Sequence, residues 1–255
     1  SLNGKDYTTT VSANGSWTLN VPAADLAGLT DGSVTVTASV SDKAGNPASA
    51  DHNLTVDVTV PAVTIHTVAG DDVINVAEHN QAQIISGSAT GAAAGDKVTV
   101  TIGGQTYTTV LDAAGNWSVG VPANVISGLS DGTATVSVSV TDAAGNTGSG
   151  THNVTVDTGL PSVSFNAISD DNVLNAVEKG QDLSVSGTSA NLAEGTQVTV
   201  TLNGKNYTAT TAADGTWSLT VPAADLTGLG QASYTLNATA TNGVGNSVSN
   251  TANLL

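Results

Sequence analysis

The sequence predicts an all-β fold of tandem immunoglobulin-like, seven-stranded β-sandwiches. Three observations carry that prediction. A repeat of a hundred residues runs through the chain, each copy divides into short alternating runs bounded by turn signals, and bulky side chains are too scarce for anything but thin cores.

The repeat sets the organisation. Trp17, Trp117 and Trp217 lie a hundred residues apart, as do Tyr7, Tyr107 and Tyr207, Pro22, Pro122 and Pro222, and Asn46, Asn146 and Asn246. Aligned on these anchors, residues 1–59 form a copy lacking its first strands, which reads the chain as a fragment, and 60–159 and 160–255 form full copies. The segments VDVTVP and VDTGLP read as linkers, in which Pro61 and Pro161 fix φ and stiffen the joint. With no Gly/Ser-rich run between copies, the expected shape is a semi-rigid rod.

Within the third copy, alternation predicts strands over 162–168, 182–187, 197–204, 206–211, 216–221, 232–241 and 246–254. Asn203-Gly204 and Asp214-Gly215 read as two-residue hairpin turns, because Asn and Gly tolerate positive φ. Each Trp follows a turn glycine by two positions and alternates onto the inner face, with Leu219 or its counterparts, so all three are expected in cores. Sugar stacking is the alternative for these rings, although aromatic platforms come in clusters and one Phe, three Trp and four Tyr make this chain poor in them.

Composition excludes two partner classes. Twenty-one acidic residues face five Lys and no Arg, for a formal charge of −16, so nucleic acid and anionic lipid, both held through Lys and Arg, are not expected partners. No run approaches the ~18 apolar residues of a membrane span, and no signal peptide opens the sequence. The absence of Cys excludes disulfides, thiolate zinc and cysteine nucleophiles. Self-repulsion in so acidic a chain favours a bound divalent cation, and carboxylate and amide oxygens favour Ca2+.

Three acidic elements are the candidate calcium ligands. A loop after the first strand carries Asp71, Asp72, Asn75 and Glu78, matched in the next copy with Asp170, Asp171, Asn175 and Glu178. A loop between the last two strands carries Asp42 and Asn46, then Asp142 and Asn146; the linkers add Asp57 and Asp157. In a seven-stranded sandwich the first loop lies at the bottom of a copy and the second at its top, so with the linker they converge where copies meet. The third copy departs from the pattern, with Asn242 where Asp142 stands one copy earlier. The competing reading of the first loop is an ordinary turn with a solvated Glu. Asp31 and Asp131, in TDG and SDG, and Asp25 and Asp225, in PAADL, read as turn and cap residues.

Catalysis has little to rest on. His52, His66, His79 and His152 show no triad-like order with Ser and carboxylate. A receptor- or carbohydrate-binding module and a calcium-independent spacer remain as alternatives, the first weakened by the shortage of aromatic and Arg anchors.

The two linkers, the DDxxxN and NxxE loops, the GNWSVGVPA and GTWSLTVPAADL segments and the TDAAGN loop together resemble bacterial immunoglobulin-like (BIg) repeats across the whole chain. They are similar to those of giant type I-secreted adhesins, including the giant non-fimbrial adhesin of Salmonella and biofilm-associated Bap-type proteins. The resemblance implies secreted, cell-surface stalk repeats that bind calcium within and between domains. Their partners would be calcium ions, neighbouring repeats and, through the parent protein, host-cell surfaces or glycans.

Overall fold

The computed structural model describes residues 1–255. The sheets fall into three groups along the chain, described here as units one, two and three. Unit one contributes one hairpin, β1 (Gly32–Ser41) with β2 (Pro47–Val56). Unit two contains β3 (Ala62–Ile65), β4 (Val73–Ile74), β5 (Gln83–Thr90), β6 (Lys97–Ile102), β7 (Gln105–Val110), β8 (Asn116–Val121), β9 (Gly132–Thr141) and β10 (Thr147–Val156). Unit three contains β11 (Ser162–Phe165), β12 (Leu183–Ala190), β13 (Gln197–Leu202), β14 (Lys205–Thr210), β15 (Thr216–Val221), β16 (Tyr234–Thr241) and β17 (Ser247–Leu254).

Two sheets make each sandwich. In unit two the sheet β3-β5-β8 faces β4-β10-β9-β6-β7, and in unit three β11-β12-β15 faces β14-β13-β16-β17. Alternation decides what is buried. Val98, Val100 and Ile102 of β6 point inward with Val136, Val138 and Val140 of β9, while Thr99, Thr101, Ser137 and Ser139 point outward. Each full unit thereby closes a cluster of 17 buried residues, a thin core by any standard.

Gly87 sits directly opposite Trp117, and Gly187 opposite Trp217. A Cβ on either glycine would lie 2.5 Å from the indole and nearer still to a carbonyl of the neighbouring strand. The indole can lie flat across the sheet only because that strand position has no side chain. Phe165 then meets Trp217 edge-on, with ring centroids 5.5 Å apart.

Two expectations are corrected here. Asn203-Gly204 is a two-residue hairpin turn with φ of 48° and 77°, but Asp214-Gly215 is not, because β14 and β15 belong to opposite sheets and the turn carries the chain between them. Trp117 and Trp217 are 3% and 2% exposed, whereas Trp17 is 49% exposed. The counterpart of β8 pairs with a β5-type strand in the full units, and residues 1–59 hold no such strand. Residues 6–20 therefore form no ladder, and apolar Val11, Trp17 and Leu19 have nothing to pack under.

Candidate metal centre

The loop after β3 begins with a left-handed turn, Ala69, Gly70 and Asp72 having φ of 56°, 99° and 63°. Asp72 Oδ1 accepts from Val68 N at 2.8 Å and from His152 Nε2 at 2.7 Å, which ties the loop to β10. Burial opposes ionisation of Asp72, but the Val68 N–H and His152 outweigh it and hold the carboxyl below its usual range. Asp71 accepts from Val73 N two residues on. Asn75 and Glu78 form a capping box on the one-turn helix Val76–His79: Asn75 Oδ1 accepts from Ala77 N and Glu78 N, and Glu78 Oε2 accepts from Asn75 N.

Unit three repeats this loop with a shifted correspondence. Asn172 Oδ1 accepts from Ile168 N as Asp72 does from Val68 N, and Asp171 accepts from Val173 N as Asp71 does from Val73 N. Asp71 and Asp72 therefore correspond to Asp171 and Asn172, not to Asp170 and Asp171; Asp170 stands where unit two has Gly70 and makes no side-chain hydrogen bond. Asn175 and Glu178 bond to each other's backbone as Asn75 and Glu78 do. These carboxylates are spread along the loop, and no three acidic or His side chains converge on one point anywhere in the chain.

The junctions are where oxygens do converge. Between units one and two, Asn146 Nδ2 donates to Asp57 O at 3.1 Å and to Asp142 Oδ2 at 3.0 Å, with Asp57 Oδ1 at 3.5 Å. Asp142 Oδ1 accepts from Asn146 N at 2.8 Å, while Asn146 Oδ1 accepts nothing from the protein. Burial works against the Asp142 charge, yet Asn146 and the loop N–H groups hold its carboxyl low. In unit one the same loop folds alone: Asn46 reaches only Asp42, at 2.8 Å.

Between units two and three the bonds cross from unit to unit. Asn246, 3% exposed, donates through Nδ2 to Asp157 O at 2.9 Å and Gly159 O at 3.3 Å. Its Oδ1 accepts from Val76 N at 2.9 Å, so the side chain of one unit satisfies a free helix-terminal N–H of the unit before it. Asn242 Nδ2 reaches Gly159 O at 3.4 Å. The Asp157 carboxylate turns back onto Gly159 N.

Asp31 and Asp131 hold the linkers rather than cap turns. Asp31 accepts from Val58 N and the Thr59 hydroxyl, and Asp131 from Thr158 N and its hydroxyl, both at 2.8 Å for the latter. These bonds keep both carboxyls below their usual range. Across from them, His79 Nε2 sits 2.9 Å from Leu129 O, so that nitrogen carries the proton, and Lys179 donates to Leu229 O in the equivalent place. Asp25 and Asp225 are likewise not caps, since Pro22 and Pro222 precede their helices without a side-chain bond. Asp225 accepts from Lys205 at 2.6 Å and Tyr207 at 2.9 Å, and Asp25 pairs with Lys5 and Tyr7 in the same way.

Tandem Ig-like sandwiches with hydrogen-bonded junctions define the class. The family model for a bacterial Ig-like domain matches residues 1–58 and 59–158, and the chain belongs to that family. A solved structure concerned with host cell surface retention of a 1.5-MDa bacterial ice-binding adhesin is 35% identical over 99% of this chain and 83% of its own, with a TM-score of 0.54. A second, described as a Ca2+-stabilised adhesin with which an Antarctic bacterium reaches out and binds ice, is 38% identical over 99% of this chain, TM-score 0.53. This chain spans 63% of that structure's length. No curated protein matches. The chain is thus homologous to Ig-like domains of large bacterial adhesins, and no helix in it is long and apolar enough to cross a membrane.

Proposed function

We propose that this chain is a calcium-stiffened stalk segment of a large secreted adhesin, with domains at 1–59, 60–159 and 160–255. It carries a remote tip toward host cells or neighbouring cells in a biofilm, and it is a spacer, not an enzyme. One observation carries the calcium part: Asp57 O, Asp57 Oδ1 and Asp142 Oδ2 all turn toward a single donor, Asn146 Nδ2. An amide N–H2 there does in part what a cation would do. Rotating that amide by half a turn, a choice set only by the surrounding hydrogen bonds, presents Oδ1 as a fourth oxygen. Calcium takes six to eight oxygens at about 2.3–2.6 Å, so four protein oxygens and water would complete a shell.

At the second junction Asp157 and the loop residues Asp71, Asn75 and Glu78 are the available donors, and Asn242 brings no charge. Asp42 with Asn46 is the corresponding pair of the top loop in unit one; in unit three Asp171, Asn175 and Glu178 correspond, and Asp170, in the place of Gly70, adds a further carboxylate. The likeness to a Ca2+-stabilised adhesin supports the reading. When bound, the cation supplies positive charge that ties the linker to the top loop. The residues themselves set direction: Asp31 and Asp131 anchor each linker on the unit before it, and Asn146 and Asn246 anchor it on the unit after.

The experiment is a thermal melt of the whole chain against calcium. The wild-type midpoint should rise with calcium and fall with chelator, and Asp142→Asn should lose most of the rise. A midpoint indifferent to calcium, in wild type and variant alike, would remove the calcium reading.

A further inference from the structure

The three top loops read SDKAGN, TDAAGN and TNGVGN, so the position held by Asp42 and Asp142 is occupied in unit three by Asn242, followed by Gly243. We propose that Asn242 is a site of spontaneous deamidation, whose aspartate product gives the second junction the carboxylate that the first already has. The effect on cation binding rests on the calcium reading above; the modification itself does not.

The chemistry needs only water. Hydroxide removes the Gly243 N–H proton, the nitrogen attacks Asn242 Cγ, and the bond from Cγ to Nδ2 breaks with loss of ammonia, leaving a five-membered succinimide. Water then opens the ring. Opening at Cγ gives aspartate, and opening at the main-chain carbonyl gives isoaspartate. The net change is amide plus water to carboxylate plus ammonium.

Three features of the loop favour attack at Asn242. Gly243 N–H makes no hydrogen bond, so the nucleophile is free. A Cβ at Gly243 would have open space around it, and the residue is exposed, so hydroxide reaches it. Asn242 Oδ1 accepts from Asn246 N at 2.9 Å and Val244 N at 3.2 Å, and those two donors stabilise the oxygen on which charge develops during attack.

The other Asn-Gly pairs lack this combination. Gly15 N is committed to Ser12 O at 2.9 Å. Asn3 and Asn203 sit at positive φ in turns, and no hydrogen bond reaches the Oδ1 of either. Asn242 is moreover the pair whose product side chain matches an acid found in the other units. Isoaspartate has the contrary effect, because the longer backbone displaces Asn246 from Asp157 and Val76.

The test is peptide mapping by mass spectrometry of the full, folded chain aged at mildly alkaline pH, in calcium and in chelator. Asn242 should gain the mass of an NH2-to-OH exchange faster than Asn203, and Gly243→Ala, which the open space accommodates, should slow it by about tenfold or more. An intact Asn242 in a sample where Asn203 has converted would overturn the proposal, as would Gly243→Ala leaving the rate unchanged. Asn242→Asp separates the two claims: it should enlarge the calcium-dependent rise in melting midpoint. If Asn242 converts but that variant gains nothing from calcium, the calcium reading of this junction fails and the modification stands.

Discussion

Asn246→Ala should release unit three from unit two. The side chain makes two cross-unit bonds at 2.9 Å, to Asp157 O and from Val76 N, and it is 3% exposed. Each such bond contributes about 1 kcal/mol net, and an orphaned Val76 N–H adds part of its desolvation penalty, so docking weakens by roughly 2–3 kcal/mol. That is a loss of roughly 30- to 150-fold in the ratio of docked to undocked junctions. Because the chain has no Cys, spin labels at Ser118→Cys and Ser218→Cys, both exposed, report the junction directly. In chelator the wild-type distance distribution should be narrow and that of Asn246→Ala broad. A distribution equally narrow in both would refute the assignment of Asn246 as the clasp.

Other outcomes follow from the same geometry. Trp217→Ala should cost about 3–5 kcal/mol in urea unfolding, while Trp17→Ala, at a residue 49% exposed, should change stability within about 0.5 kcal/mol. Asp72 has a folded pKa depressed below its unfolded value of about 3.9, so its contribution is present above that pH and is lost as pH falls through the folded pKa. Asp72→Asn should therefore flatten the acid side of the melting-point profile. Tyr207 is pushed up to about 12 by burial and by its bond to Asp225, so Asp225→Asn should lower the ultraviolet titration of one tyrosine.

What was legible in the sequence was what is local or repeated. Period-two alternation gave the seven strands of unit three, and the hundred-residue spacing signalled that one pattern of strands recurs along the chain. The sandwich topology allowed the meeting of linker and loops at a junction to be argued without coordinates. The capping box in Asn75-x-x-Glu78 was also a local signal, and attention to charge alone passed over it. The mistaken correspondence of Asp71 and Asp72 came from aligning adjacent acids, when the backbone equates Asp72 with Asn172 through the left-handed turn both occupy. Non-local facts were out of reach: Asp31 grips Val58 across 27 residues, Val76 meets Asn246 across 170, and Trp17 is left half exposed for want of a partner strand. Asp214-Gly215 carried the composition of a hairpin, but composition does not reveal that the next strand lies in the opposite sheet.

On the calcium reading, a cation held by Asp57 and Asp142 fixes the angle between units one and two. The decisive measurement is small-angle X-ray scattering of wild type and Asp142→Asn across a calcium titration. Calcium should narrow the wild-type distance distribution and lengthen its maximum dimension, with Asp142→Asn responding far less. Identical curves with calcium and with chelator, in a wild-type protein whose units remain folded, would contradict it.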